Sequence, residues 1–179
     1  VVYAGARKVE LIETGPTIYP IFFDLKASVE ENLDKLNGID AVYFVAGSSG
    51  KDLLQRDLFG AVKLMEATEK SGIKRFIQLS SIFALEPNRW NEPGLDKLTK
   101  YNIAKFFSAR WRVDNTTLDY TILQPGALEE KEGTGLIEVN VENPGGNSID
   151  DVVHTLVELL DKENTFKKVI KMHNGNTPI

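Results

Sequence analysis

Short apolar runs alternate with stretches of helical periodicity along the whole chain. Residues 1–7 (VVYAGAR) read as a strand that ends at a glycine turn, and 17–25 (TIYPIFFDL) as a second strand. Residues 28–38 predict a helix, with Ser28 as N-cap, Val29, Leu33 and Leu36 at helical spacing and Gly38 as its stop. A buried strand over 39–50 runs into a small-residue loop. The long helix predicted over 51–72 carries an apolar stripe of Leu54, Leu58, Val62 and Met65, which puts Asp57 toward solvent. Another buried strand spans 73–81. After a loop with two prolines (82–95), a helix is predicted over 96–112 and a strand over 118–126, stopped by Pro125-Gly126. Residues 127–147 look irregular, apart from a short strand at 136–140. A helix over 149–161, with Asp150 and Asp151 at its positive end, and a strand over 167–175 close the chain.

Continuous apolar strands separated by helices predict an α/β fold, a doubly wound parallel sheet covered on both faces. Such sheets bind ligands beyond the carboxyl ends of their strands. That rule directs attention to Gly5–Lys8, Asp24–Leu25, Ala46–Ser49, Ser80–Ser81 and Gln124–Leu128. At 179 residues the chain reads as one domain, with a small substrate-side portion within 127–148.

Composition narrows the chemistry. The net charge of −5 comes without a basic cluster, so nucleic acid is not an expected partner. The absence of cysteine excludes disulfides and thiolate chemistry. No apolar run reaches the ~20 residues of a membrane span, so no membrane association is expected and a cytoplasmic location is the default. His154 and His173 lack ligand-spaced partners, so no metal site is expected. Tyr101 and Lys105 stand four residues apart, on one face of the helix 96–112. The spacing alone is weak evidence in a lysine-rich chain.

In order and spacing, the segments YAGAR, FFDL, DAVYFVAG, DLFGAVKLMEATEKSGIKRFIQLSS, YNIAK, LDYTILQPGAL and SIDDV resemble the short-chain dehydrogenase/reductase superfamily. They are most similar to its atypical branch of small NAD(P)H-binding, NmrA-like proteins. The resemblance implies a Rossmann-like domain whose first strand and glycine-rich turn are absent from this chain. That strand would lie between those at 1–5 and 41–46, leaving two apolar strand edges unpaired. The expectation is that an N-terminal segment of the native protein precedes Val1, or else that the chain has lost this means of holding a dinucleotide.

Through the resemblance, individual residues acquire roles. Gly5, Arg7 and Lys8 fall where the adenosine ribose is met. Arg7, with no acid before Glu10, implies that NADP(H) is preferred over NAD(H). Asp24 and Leu25 fall in the adenine-contacting position, though Asp24 equally suits a cap for the next helix. Ala46, Gly47 and Ser48 allow close backbone approach to the cofactor, as would a plain turn. Ser80 lies beside the cofactor, and Ser81 is the better match to the hydroxyl that bonds the substrate oxygen. Tyr101 would be the general acid. Lys105 would hold the nicotinamide ribose and lower the Tyr101 pKa. Pro125, Gly126 and Ala127 would pass the nicotinamide end, Gly126 permitting close approach. The loop 82–95, with Trp90, is expected to be mobile and to cover the site.

The implied function is an NADP(H)-dependent oxidoreductase acting on a small carbonyl or quinone-like substrate. A nucleotide-sugar epimerase fits less well, because little chain follows Gly126 to hold the nucleotide. The alternative is a non-catalytic NADP(H)-binding sensor, whose partner is a regulatory protein or a second copy of the chain. A third reading is an enzyme fragment without a cofactor site.

Overall fold

The computed structural model describes residues 1–179. Its elements are β1 (Val2–Ala6), β2 (Ile18–Phe22), α1 (Val29–Asp34), β3 (Ala41–Phe44), α2 (Phe59–Lys70), β4 (Arg75–Leu79) and α3 (Thr99–Asn115). Then come β5 (Asp119–Pro125), β6 (Ala127–Glu129), β7 (Leu136–Val139), β8 (Gly146–Ser148), α4 (Ile149–Glu158), β9 (Lys168–Asn174) and β10 (Thr177–Pro178).

The strands β3, β4, β5 and β9 lie parallel and adjacent. β7 runs antiparallel on β9 and β10 antiparallel on β7, giving a six-stranded sheet in the order β10-β7-β9-β5-β4-β3. β1 and β2 form a separate parallel pair. The edges of β1 and β3 expected to stand unpaired do so: β1 bonds only β2, and β3 only β4. The architecture is α/β and Rossmann-like, with a mostly parallel central sheet.

Alternation along each strand feeds two cores. Phe76 of β4 joins Val42, Phe44, Met65 and Leu118 beneath α1 and α2. Its neighbour Ile77 points the other way, to Leu123, Met172 and the α4 residues Val152 and Leu156. A strand buried on both faces needs the continuous apolar character seen in the sequence. Gln78 is one buried polar exception on β4 and Arg75 is another. Its guanidinium donates to the carbonyls of Leu159 and Leu160 at the end of α4, and to Asp119 O and Thr121 Oγ1 at 2.8 and 2.9 Å. It therefore satisfies carbonyls that a helix end leaves open. No helix is long and apolar enough to cross a membrane.

α1 begins as its sequence predicts. Ser28 Oγ accepts from Glu31 N at 3.1 Å and the Glu31 carboxylate accepts from Ser28 N at 2.9 Å, a reciprocal capping box. Gly38, at φ +75°, follows its end.

The long helix departs from expectation. Its first part, Leu53–Leu58, is a π-helical turn, and only Phe59–Lys70 is α-helical. A π turn holds more residues per turn than an α-helix, so the faces before Phe59 are rotated relative to those after it. Val62 and Met65 are buried as predicted, but Leu54 is 71% exposed and Asp57 is fully buried.

Residues 127–147 are more ordered than predicted. The short strand at 136–140 is β7, and β6 and β8 form a small parallel pair. The chain crosses itself there: Ala127 N donates to Gly145 O at 2.8 Å, and Gly126 N to Asn147 Oδ1 at 2.9 Å. A Cβ on Gly126 would overlap the Gly145 carbonyl.

Candidate functional site

The chemistry-bearing side chains gather where β3 and β4 end against the first half of α3. β3 runs out into Val45–Gly47, and Ser48 turns the chain inward. The Ser48 amide donates to both carboxylate oxygens of Asp57, at 3.1 and 3.3 Å. Asp57 Oδ1 lies 4.0 Å from Lys105 Nζ, and both side chains are almost wholly buried. The Lys105 ammonium also lies over two rings, 5.4 Å from the centroid of Phe44 and 5.3 Å from that of Tyr101. The fold thus brings the predicted Ser48, Tyr101 and Lys105 together, with Asp57 among them.

Electrostatics differ from the sequence expectation, in which Lys105 pulls the Tyr101 pKa down. Burial instead pushes the Tyr101 phenol up to about 12, and the Asp57 carboxylate adds to the rise. Burial lowers the Lys105 pKa, with Asp57 opposing that fall. Tyr101 is therefore a protonated phenol near neutral pH and a weaker acid than a free phenol.

Ser80 and Ser81 occupy the end of β4. Ser80 N donates to Leu123 O at 2.8 Å, and its buried hydroxyl has no protein partner. Ser81 is half-buried, and its carbonyl accepts from Ala84 N at 3.0 Å. Ala46 and Gly47 are exposed, with only Asp57 Oδ1 near the position a Gly47 Cβ would take, at 3.4 Å.

Arg7 and Lys8 follow β1, are exposed, and enter no salt bridge. Gly5 is exposed too, its would-be Cβ at 3.0 Å from Phe23 Cβ. Asp24 does not cap α1, a task Ser28 performs; its Oδ1 accepts from Lys26 N at 3.0 Å within its own turn. Leu25 is half-buried, with its Cβ 2.8 Å from where a Gly60 Cβ would stand. Pro125 and Gly126 are buried, while Ala127 is exposed. The close approach that Gly126 allows is that of the Gly145 backbone.

The loop 82–95 is tied down rather than loose. Arg89 bonds Glu92 through two nitrogens, at 2.7 and 2.8 Å, and lies over the Phe83 ring. Lys171 of β9 pairs with Glu86 at 3.1 Å and Glu142 at 3.0 Å. Trp90 Nε1 donates to Phe83 O at 3.1 Å, and its ring meets Phe106 of α3 edge-on.

Sequence reasoning set Asp57 aside as a site residue, reading it as a solvent-facing departure from the Asn that some catalytic relatives carry near this point. It missed Asn102, fully buried on α3 with no protein partner for either side-chain polar atom. Only its position next to Tyr101 could have drawn attention to it.

The residues present suit a dinucleotide: unpaired cations after β1, an exposed small-residue loop after β3, and a buried ammonium and phenol on α3. Fold and site together define an NAD(P)-binding Rossmann-like protein. Residues 4–163 match the family model for NAD(P)H-binding proteins, and the chain belongs to that family. This agrees with the atypical short-chain dehydrogenase/reductase branch. The chain is 42% identical over 163 residues to the UPF0659 protein YMR090W of Saccharomyces cerevisiae, covering 86% of this chain and 70% of that one. It is 37% identical over 165 residues to the uncharacterized sugar epimerase YhfK of Bacillus subtilis, covering 89% and 74%. The crystal structure of the oxidoreductase ylbE from Lactococcus lactis superposes with a TM-score of 0.95 at 49% identity, over 98% of this chain and 80% of that one.

Proposed function

We propose that the protein is an NADP(H)-dependent oxidoreductase that reduces a small carbonyl or quinone-like substrate. The observation that carries this reading is the buried Tyr101 phenol beside a Lys105 ammonium that Asp57 already balances. A bound nicotinamide supplies the hydride. With that hydride delivered to the carbonyl carbon, Tyr101 would give its phenolic proton to the carbonyl oxygen, and an alcohol would result. Ser81, at the rim of β4, would bond the substrate oxygen and orient it. Lys105 would hold the ribose hydroxyls. Arg7 and Lys8 would meet the 2′-phosphate, which favours NADP(H) over NAD(H).

The test is a screen of carbonyl and quinone substrates for NADPH oxidation by the unaltered protein, followed by Tyr101→Phe and Lys105→Ala. Reductase activity requires turnover that falls with Tyr101→Phe, and a fall in both turnover and NADPH affinity with Lys105→Ala.

A second reading, a non-catalytic NADP(H) sensor acting on a regulatory partner, draws on one observation. The Tyr101 phenol is pushed up to about 12, far from the neutral range in which an acid–base group works best. In that case no substrate oxidises NADPH above background, and Tyr101→Phe leaves binding unchanged.

A further inference from the structure

Four residues other than glycine hold a positive φ: Ser49, Phe83, Asn140 and Lys167. Three of them are polar and exposed. Phe83 differs, at φ +55° with its side chain wholly buried. The left-handed region crowds the Cβ of an L-residue, and a bulky side chain stays there only where its surroundings enforce it. Glycine would take the same backbone without strain.

Phe83 stands two residues after Ser81. Ala84 N donates to Ser81 O at 3.0 Å, so Ser81–Ala84 close a turn with Phe83 as its third residue, a place where several turn types need a positive φ. The Phe83 carbonyl accepts twice, from Glu86 N at 3.0 Å and from Trp90 Nε1 at 3.1 Å. Its ring joins Ile82, Leu95 and Val141 in a small core. The Arg89 guanidinium lies 3.5 Å from the ring centroid, and the Lys171 ammonium 5.2 Å from it. Lys171 belongs to β9, and Val141 follows β7. One strained side chain therefore ties the turn after β4 to two other parts of the sheet.

We propose that Phe83 is a positioning residue for Ser81: its clamped ring holds the Ser81–Ala84 turn closed in a left-handed form and so fixes the Ser81 hydroxyl at the rim of β4 for the substrate oxygen. The inference rests on the role of Ser81 given under Proposed function. Buried as it is, Phe83 acts through Ser81 rather than on the substrate.

Phe83→Gly tests it, because glycine takes the same φ without strain and only the ring is lost. With the substrate found in the NADPH screen, kcat should fall about tenfold or more, the scale of a hydrogen bond to a group gaining charge, while NADPH affinity stays unchanged. Ser81→Ala should cost as much, and the double variant should be no slower than Ser81→Ala alone. A purely structural role for Phe83 would make the two losses additive, and that result overturns the proposal. So does a Phe83→Gly protein with undiminished kcat. If no carbonyl or quinone makes the unaltered protein oxidise NADPH, the reductase reading fails, and amide hydrogen exchange decides on Phe83. Faster exchange at the Ala84 amide in Phe83→Gly supports the clamp, and unchanged exchange contradicts it. Should Phe83→Gly not fold, Phe83→Leu makes the same comparisons, since leucine keeps apolar bulk but offers Arg89 no ring face.

Discussion

Tyr101 shows how burial and charge compete at a single residue. Its phenol is raised from 10.0 to about 12, with burial the larger cause. Below that range the hydroxyl keeps its proton, so carbonyl reduction should vary little between about pH 6 and pH 9, as expected for a donor far from its pKa. Alcohol oxidation, which needs the phenolate, should rise steadily toward alkaline pH. Rate profiles in the two directions check this, and a reduction rate that falls tenfold per pH unit above neutrality contradicts it. The same shift bears on stability. Between the unfolded pKa and the folded one the native state holds the extra proton, so stability present below pH 10.0 is lost as pH rises toward about 12. Urea denaturation of Tyr101→Phe should show a flatter alkaline limb than the unaltered protein. Arg7 makes a different prediction. Exposed and unpaired after β1, it is free to meet a 2′-phosphate. Arg7→Ala should weaken NADPH binding by about 1.5–3 kcal/mol, the value of a hydrogen bond to a charged group, and leave NADH binding nearly unchanged in the same calorimetric titration. The positions of Arg7, Tyr101 and Lys105 were legible because each follows a strand or shares a helix face. The sign of the Tyr101 shift was not, since it depends on burial and on an Asp57 that the sequence turned outward.

At the scale of elements, the π turn before α2 separates pattern from structure. An unbroken α-helix would bury Leu54 with Met65. The structure predicts that Leu54→Ala changes stability by no more than about 0.5 kcal/mol, as for exposed sites. Met65→Ala should cost about 2–5 kcal/mol. Chemical denaturation of the two variants gives the comparison, and similar losses for both would contradict the rotated face. The crossing of Gly126 over Gly145 makes a second case. Gly126→Ala must push the Gly145 backbone aside, at a cost of about 1–3 kcal/mol, the range for overpacking. Thermal unfolding reads that loss, and an unchanged Tm would contradict the crossing. The parallel strands, the caps of α1 and α4 and the end of α2 were legible because they rest on local signals: apolar runs, a serine before each capped helix, a glycine after α2. The β6–β8 pair was not. It depends on contacts between Gly126 and Gly145 that no short-range period records.

Over the whole molecule, the strands divide into the β1–β2 pair, the β6–β8 pair and the six-stranded body, and the Lys26–Asp52–Ser48–Asp57–Lys105 chain links the turn after β2 to α3. The ion pairs of Lys171 with Glu86 and Glu142 hold the loop 82–95 against the residues after β7. The α/β class could be read from the apolar runs, and the gathering of the candidate side chains beyond β3 and β4 from the small or polar residues that end those runs. The linkage could not, because it joins charges far apart in sequence through a turn of unexpected pitch. The proposed function rests above all on Tyr101 as the proton donor of a reductase. The most direct test is NADPH oxidation with a responsive carbonyl, measured side by side for the unaltered protein and Tyr101→Phe, with NADPH affinity recorded for both. Turnover should fall by about 10²–10⁴-fold, the span of general acid catalysis, while affinity stays the same. Equal turnover in the two proteins would contradict proton donation by Tyr101.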